Sequence, residues 1–345
     1  MKVTLASYHT ITMRHGGPMT HIFQIKKHLE KLDIEVELIN IWKSREDIFK
    51  TDLFHLHASN ISLWDLAGYL NAHKTKFVVT PIFFTRRSAP ILHLTCKIDS
   101  LIQNFMQGIW SSYRITQDIC NWAQHVLPNT SDEAILIKDG LSIPPQKITV
   151  IPNGVEKRFA EASPELFYNK YGVKDFILNV GHIGAPRKNT LSLIRALSKI
   201  DHPAVIIGRI FPSKEADICM EEGKKNKNLT IIPGIDHDST MLASAYAACS
   251  VFALPAMYET PGIAALEAGL AGAKVVITPH GGTKDYFKEM VTYVDPYSVT
   301  SIRNGIETAL NQKSDDELRE YIKNNFLWQK VAELTADVYH QILKK

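Results

Sequence analysis

Short, nearly continuous apolar runs alternate with helix-length amphipathic stretches from one end of the chain to the other, and this alternation restricts the fold more than any other feature. In the first half the runs are "KVTLASY", "EVELINI", "LFHLH", "FVVTPIF", "HVLPNT" and "KITVIPNGV". In the second half they are "DFILNVGH", "AVIIGRI", "LTIIPGI", "VFALPA", "AKVVIT" and "TYVDP". A strand that is apolar at consecutive positions is buried on both faces, as in a parallel sheet covered by helices. Between the runs lie stretches such as "THIFQIKKHLEKL", with Ile22, Ile25 and Leu29 on one side and lysines on the other. Strand and helix repeated twice over predict two doubly wound, Rossmann-like α/β domains facing a central cleft.

The length agrees, since 345 residues exceed what one ordinary core organises. The join is expected after "IPNGVEKRF", where the pattern lapses into "AEASPELFYNKYGVKD". The domains are therefore read as 1–155 and 170–324, with 156–169 as linker. The tail, 325–345, is helical, with Leu327, Val331, Leu334, Val338 and Ile342 on one face, and is expected to pack back on the first domain. A net charge of +3 is too small to point to nucleic acid. The four cysteines lie far apart, without zinc spacing, and read as reduced structural thiols. The most apolar stretch, "AYAACSVFALPAM", is shorter than the roughly 18 residues a membrane span requires. The start, "MKVTLASYHT", has no signal-peptide core. A cytoplasmic protein is expected, one that can also sit on a membrane surface.

In open α/β sheets ligands bind beyond the carboxyl ends of the strands, so the loops there are the places to look for chemistry. In "YHTITMRHGGPMTH", Gly16 and Gly17 allow close approach of a ligand, and the following helix offers free N–H groups to an anion. In "NVGHIGAPRKNT", His182, Arg187 and Lys188 precede a helix start, where cations oppose the helix dipole unless an anion binds. A diphosphate would account for them through charge-assisted bonds, and a solvated basic turn is the plain alternative. In "YETPGIAALEAGLAGAKVV", Glu259 and Glu267 flank a turn through Thr260, Pro261 and Gly262. Gly262 and Ile263 present backbone N–H groups there. The two carboxylates read as hydroxyl acceptors around an amide cradle. A general acid and base pair is the rival chemical reading, but a glutamate inside a helix is poorly placed for it, and a purely structural reading buries Glu267 against a basic group.

Other features carry less. "DHD" at Asp236–Asp238 has a spacing used to hold metal-nucleotides, but three-residue matches arise readily by chance. His55 and His57 share a sheet face and lack further zinc ligands nearby, so packing or cleft lining is the expectation. No GxGxxG, GxSxG or P-loop pattern is present.

In this order the loops resemble the family 4 retaining glycosyltransferases of the GT-B group. "GGPMTHIFQIKKHLEKLDIEVELI" is similar to the family's opening glycine pair, first helix and second strand, and "DLFHLH" to its D-hydrophobic-hydrophobic-H-x-H strand. "VIPNGVEKRF" is similar to its domain crossover and "NVGHIGAPRKN" to its phosphate loop. "YETPGIAALEAGLAGAKVVIT" resembles its E-x7-E signature, and "FLWQKVAELTADVYHQIL" its closing helix.

The resemblance implies an N-terminal acceptor domain and a C-terminal domain that holds a nucleotide-sugar, with UDP as the usual nucleotide. It implies Glu267 on the ribose hydroxyls, Glu259 on the transferred sugar and Lys188 on the diphosphate. Gly262 and Ile263 would reach sugar or phosphate beside Thr260, and Gly16 and Gly17 the distal phosphate. No divalent metal and no cofactor beyond the nucleotide-sugar is implied, and the chemistry is front-face transfer with retention. The acceptor would be a glycan or polyprenyl-diphosphate-linked sugar in surface polysaccharide assembly. Three departures stand out. His182 replaces the usual arginine of the phosphate loop, Ile82 stands where many members carry a histidine, and the turn is Thr-Pro-Gly instead of Pro-Phe-Gly. A nucleotide-sugar epimerase or phosphorylase of the same fold, or a non-catalytic binder, remain as alternatives. The stretches "FFTRRSAPILHLTCK" and "LIQNFMQGIWSSYR" suit either a membrane surface or ordinary partly buried helices.

Overall fold

Runs of β-branched and aliphatic residues form central strands here because both of their faces are covered, and the eleven strands among the described residues pair in parallel. The computed structural model describes residues 1–13, 16–105, 111–313 and 315–344. The chain divides into two compact units, 1–154 with 328–345 and 155–327.

The first unit holds β1 (Lys2–Ser7), β2 (Glu35–Leu38), β3 (Leu53–His57), β4 (Phe77–Thr80) and β5 (His125–Val126) in the order β2-β1-β3-β4-β5. The sixth expected run, "KITVIPNGV", is an edge segment instead of a strand. It bridges Val126 at Ile148 and donates from Thr149 and Ile151 to Val126 and Pro128, and Pro152 then offers no N–H to continue the ladder. The second unit holds β6 (Phe176–Val180), β7 (Ala204–Ile207), β8 (Leu229–Ile232), β9 (Cys249–Leu254), β10 (Lys274–Ile277) and β11 (Thr292–Tyr293) in the order β11-β10-β9-β6-β7-β8. Phe159 and Phe167, from the stretch read as a linker, are buried in this unit's core.

The helix Trp328–Lys344 belongs to the first unit and buries Trp328, Val331, Val338, Tyr339 and Ile342 there with Ile22, Ile25 and Leu29 of the helix Gly17–Glu30. A Cβ on Gly154 would come within 2.4 Å of the Trp328 ring, so this glycine lets the indole close over the backbone. His55 and His57 are packed, as expected: each is 1% exposed, with ring centroids 3.9 Å apart. His55 pairs with the Tyr339 hydroxyl at 2.6 Å and the Thr80 hydroxyl at 2.8 Å, and His21 with Asn153 at 2.5 Å. Neither ring nitrogen of His57 has a hydrogen-bond partner among the described residues.

Burial holds all three imidazoles below their ordinary value of 6.5, and neighbouring histidine charge adds to this for His55 and His57. The folded state therefore resists protonation that the unfolded chain accepts below pH 6.5. This contribution to stability is complete above that value and is lost as pH falls beneath it, by up to about 1.4 kcal/mol per pH unit for each histidine. Melting temperature should fall steadily between about pH 7 and pH 5.5. A flat profile would contradict the assignment of neutral buried rings.

Among the described residues no helix is long and apolar enough to cross a membrane. Residues 106–110 of the second stretch considered for membrane contact lie outside the described residues.

Candidate active site

The second unit starts in the middle of its sheet. From β6 the chain moves outward through β7 and β8, then returns to the other side of β6 with β9, β10 and β11. The carboxyl ends of β6 and β9 therefore flank a topological switch point, where a crevice opens because the two following loops run in opposite directions. His182, Arg187 and Lys188 come from the loop after β6, and Glu259 from the loop after β9.

Glu259 is 5% exposed and its carboxylate lies between two cations. Lys188 Nζ donates to Oε1 at 2.6 Å, and Arg187 NH1 lies 3.2 Å from Oε2. Burial alone would raise the pKa of this acid. The charges and hydrogen bonds of Lys188 and Arg187 prevail and hold it below its usual value, so the group is an anion. Arg187 also donates to the Tyr258 carbonyl at 3.0 Å, with its guanidinium 5.3 Å from the centre of the Tyr258 ring.

Local backbone explains why this loop stays in place. Pro186–Lys188 is a single tight turn ended by Asn189 in the left-handed region, with φ 55°. The buried Asn189 side chain donates to the carbonyls of Pro255 at 2.9 Å and Pro296 at 2.7 Å, tying the basic loop to the end of β9. A second support was missed in the sequence. "HGGT" follows β10, and the His280 carbonyl accepts from Glu259 N at 3.0 Å. Gly281 has φ +92°, and a Cβ there would lie 2.5 Å from the Glu259 carbonyl oxygen. The signal was the one used for Gly16 and Gly17, a glycine pair just after a strand.

Glu267 lies on the helix Ile263–Leu270, whose N-cap Gly262 is left-handed with φ 93° and leaves the first-turn N–H groups without a side-chain cap. The turn contains a cis peptide at Thr260-Pro261. Glu267 is 3% exposed, and both of its oxygens are occupied. His237 Nε2 lies 2.7 Å from Oε1, and the Tyr246 hydroxyl donates to Oε2 at 2.7 Å. Burial works to lower the His237 pKa. The hydrogen bond to Glu267, the charge of Glu267 and the bond to Asp238 prevail and raise it to about 9, which makes this an imidazolium–carboxylate pair. Thus the middle residue of "DHD" is the one engaged with the signature glutamate. Glu156, His237 and Asp238 also place ligand-type atoms within 4.8 Å of one another. Glu156 is held by Arg158 at 3.1 Å and His237 by Glu267, so the group is a hydrogen-bond network.

His182 stands in contact with Phe211, edge to face with ring centroids 4.8 Å apart. Burial, then the charges of Lys188, Arg209 and Arg187, lower its pKa, so it is neutral near pH 7. It does not replace the arginine charge. Arg187 is committed to Glu259 and Tyr258, and Arg209 is a cation that the motif reading overlooked.

Gly16 and Gly17 belong to the first unit, at the start of the helix Gly17–Glu30 after β1. Gly16 is extended, and a Cβ there would meet nothing within 4 Å, so neither strain nor packing explains this glycine. Ile82, after β4, has φ 53°, an unusual conformation for a β-branched residue. Its neighbour Phe83 donates to the buried Glu133, which also accepts from Asn129, each at 2.7 Å. Burial raises the Glu133 pKa to about 7 against those bonds. "TSDE" was its signature: Thr130 accepts from Glu133 N at 3.0 Å, as in a capping box.

The family described as Glycosyl transferases group 1 matches residues 167–326, the span that carries Arg187, Lys188, Glu259 and Glu267. An uncharacterized glycosyltransferase of Methanocaldococcus jannaschii, MJ1607, is 32% identical over 220 residues, 57% of this chain and 54% of that protein. Glycogen synthase of Mycobacterium tuberculosis is 27% identical over 206 residues, 56% of this chain and 48% of that protein. The chain spans about half the length of the curated relatives it matches. Among solved structures, Anabaena HepE in complex with UDP and glucose superposes with a TM-score of 0.75 at 17% identity, covering 99% of this chain and 100% of that one. This likeness shows the fold, two Rossmann-like α/β units of the GT-B type.

Proposed function

We propose that the chain is a retaining glycosyltransferase that uses a nucleoside-diphosphate sugar, UDP-linked by preference, a reading supported by the match of residues 167–326 to the group 1 glycosyl transferases. The observation that carries the reading is the Glu259 carboxylate held between Lys188 and Arg187 at the switch point. As the glycosidic bond to the diphosphate breaks, negative charge grows on the leaving oxygen. Preorganised cations at that place stabilise the transition state more than the ground state. Glu259, kept ionised by the same cations, is suited to accept a hydrogen bond from a sugar hydroxyl and to offset the positive charge of an oxocarbenium-like centre. Glu267 is suited to two ribose hydroxyls once His237 and Tyr246 exchange their hold on it. Gly262 and Ile263 offer N–H groups to sugar or phosphate oxygens. The acceptor would be a glycan or lipid-linked sugar of surface polysaccharide assembly.

Incubation with UDP-sugars, followed by proton NMR, tests this. Expected is slow release of UDP without acceptor, faster release with acceptor, and an α-linked product from an α-linked donor. An altered UDP-sugar formed without acceptor would establish the epimerase reading instead. Tight UDP binding with no release under any acceptor would leave a binding protein.

A further inference from the structure

The helix Ala89–Phe105 is turned the wrong way round for a helix that serves only its own domain. Leu92 and Cys96 are buried in the first unit's core. On the other side Ile91, Leu94, Ile98, Leu101 and Ile102 are exposed by 54%, 58%, 47%, 60% and 38%. At about 100° per residue these five fall within an arc of about 100°, a continuous aliphatic stripe. Single exposed aliphatics need no explanation, but a contiguous row of them marks a surface that something covers.

The charges beside the stripe indicate what covers it. Lys97 lies along one edge. On the other edge Arg87 reaches Thr95 Oγ1 at 2.9 Å, and Thr95 in turn donates to the Ile91 carbonyl, so this cation is laid beside the first turns. Arg86 is exposed just before the helix. Between residues 84 and 105 the only acid is Asp99, and its Oδ2 is buried. A second copy of the same face would bring like charges together, whereas an anionic surface with an apolar interior complements both features.

We propose that this helix lies in the plane of a bilayer containing anionic headgroups. The aliphatic stripe enters the acyl boundary, and Arg86, Arg87 and Lys97 remain at headgroup level. Among the described residues no helix is long and apolar enough to cross a bilayer, so an in-plane attachment is reversible and weakens with salt. The transfer chemistry is not needed for this inference.

Sedimentation of the full chain with vesicles tests it. Expected is binding to vesicles of equal phosphatidylcholine and phosphatidylglycerol, and little to phosphatidylcholine alone. Ile98→Asp should abolish binding, and the Arg86→Ser, Arg87→Ser double variant should weaken it roughly 30-fold, about 1 kcal/mol for each cation. Leu94→Ser with Leu101→Ser provides a second apolar variant should Ile98→Asp not fold. Circular dichroism and UDP affinity should be the same in the folded variants and the wild type. If no form binds UDP, the donor-site reading fails while the vesicle result stands. Undiminished vesicle binding by both apolar variants, no binding by the wild type, or a dimer that Ile98→Asp dissociates would overturn the proposal.

Discussion

Lys188→Ala is expected to lower the rate of sugar transfer roughly 100- to 1,000-fold, the usual effect of removing one preorganised donor from a developing anion. Two causes combine. On the proposed function the leaving diphosphate loses its ammonium, and the buried Glu259 carboxylate keeps only the more distant Arg187. The second cause should appear separately as a loss of about 1 to 3 kcal/mol in stability, because an ionised partner is left poorly satisfied. Steady-state rates with a UDP-sugar measure the first effect and urea denaturation the second. Lys188→Arg should recover charge but not reach, and should remain well below wild type, since a planar guanidinium is no substitute for a point ammonium. The Lys188→Ala, Glu259→Ala double variant should be more stable than the sum of the single variants implies, since the two groups touch. Unchanged UDP affinity and rate in Lys188→Ala would remove the loop after β6 from the donor site.

Glu267→Ala is expected to weaken UDP binding by roughly 10- to 100-fold in calorimetry, since hydrogen bonds to an ionised group contribute about 1.5 to 3 kcal/mol each. It also removes the pH signature of the pair with His237. In the wild type the His237 pKa is raised to about 9 in the folded state, above an unfolded value of 6.5. The stability supplied by the pair is therefore complete below pH 6.5 and disappears as pH rises through about 9. Without Glu267 that alkaline loss should vanish. NMR titration should place the His237 midpoint lower, because burial then acts with little opposition. A His237 midpoint that does not move would contradict the pairing.

Much of the architecture was legible because a strand buried on both faces leaves a local mark. Eleven of the twelve apolar runs became strands, and the failure at residues 148–155 follows from Pro152 and an edge position, neither of which alters hydrophobic pattern. Helix polarity was less legible. The tail helix hides its apolar face, as its periodicity predicts, whereas Ala89–Phe105 shows its broader apolar face to water. Periodicity reports that a face exists and says nothing about which neighbour covers it.

The candidate site divides in the same manner. The sequence by itself determined which loops end strands, where glycine and charge collect in them, and that Glu259 and Glu267 stand at the two ends of one strand-to-helix turn. Those are short-range properties, set by backbone sterics and by burial within a few residues. Only the tertiary structure decided the partners: Lys188 and Glu259 meet across 71 residues, and His237 reaches Glu267 across 30. Sheet order brings those strand ends side by side, and the interactions that fix each charge state fall off within a few ångströms, so they exist only once the strands have paired.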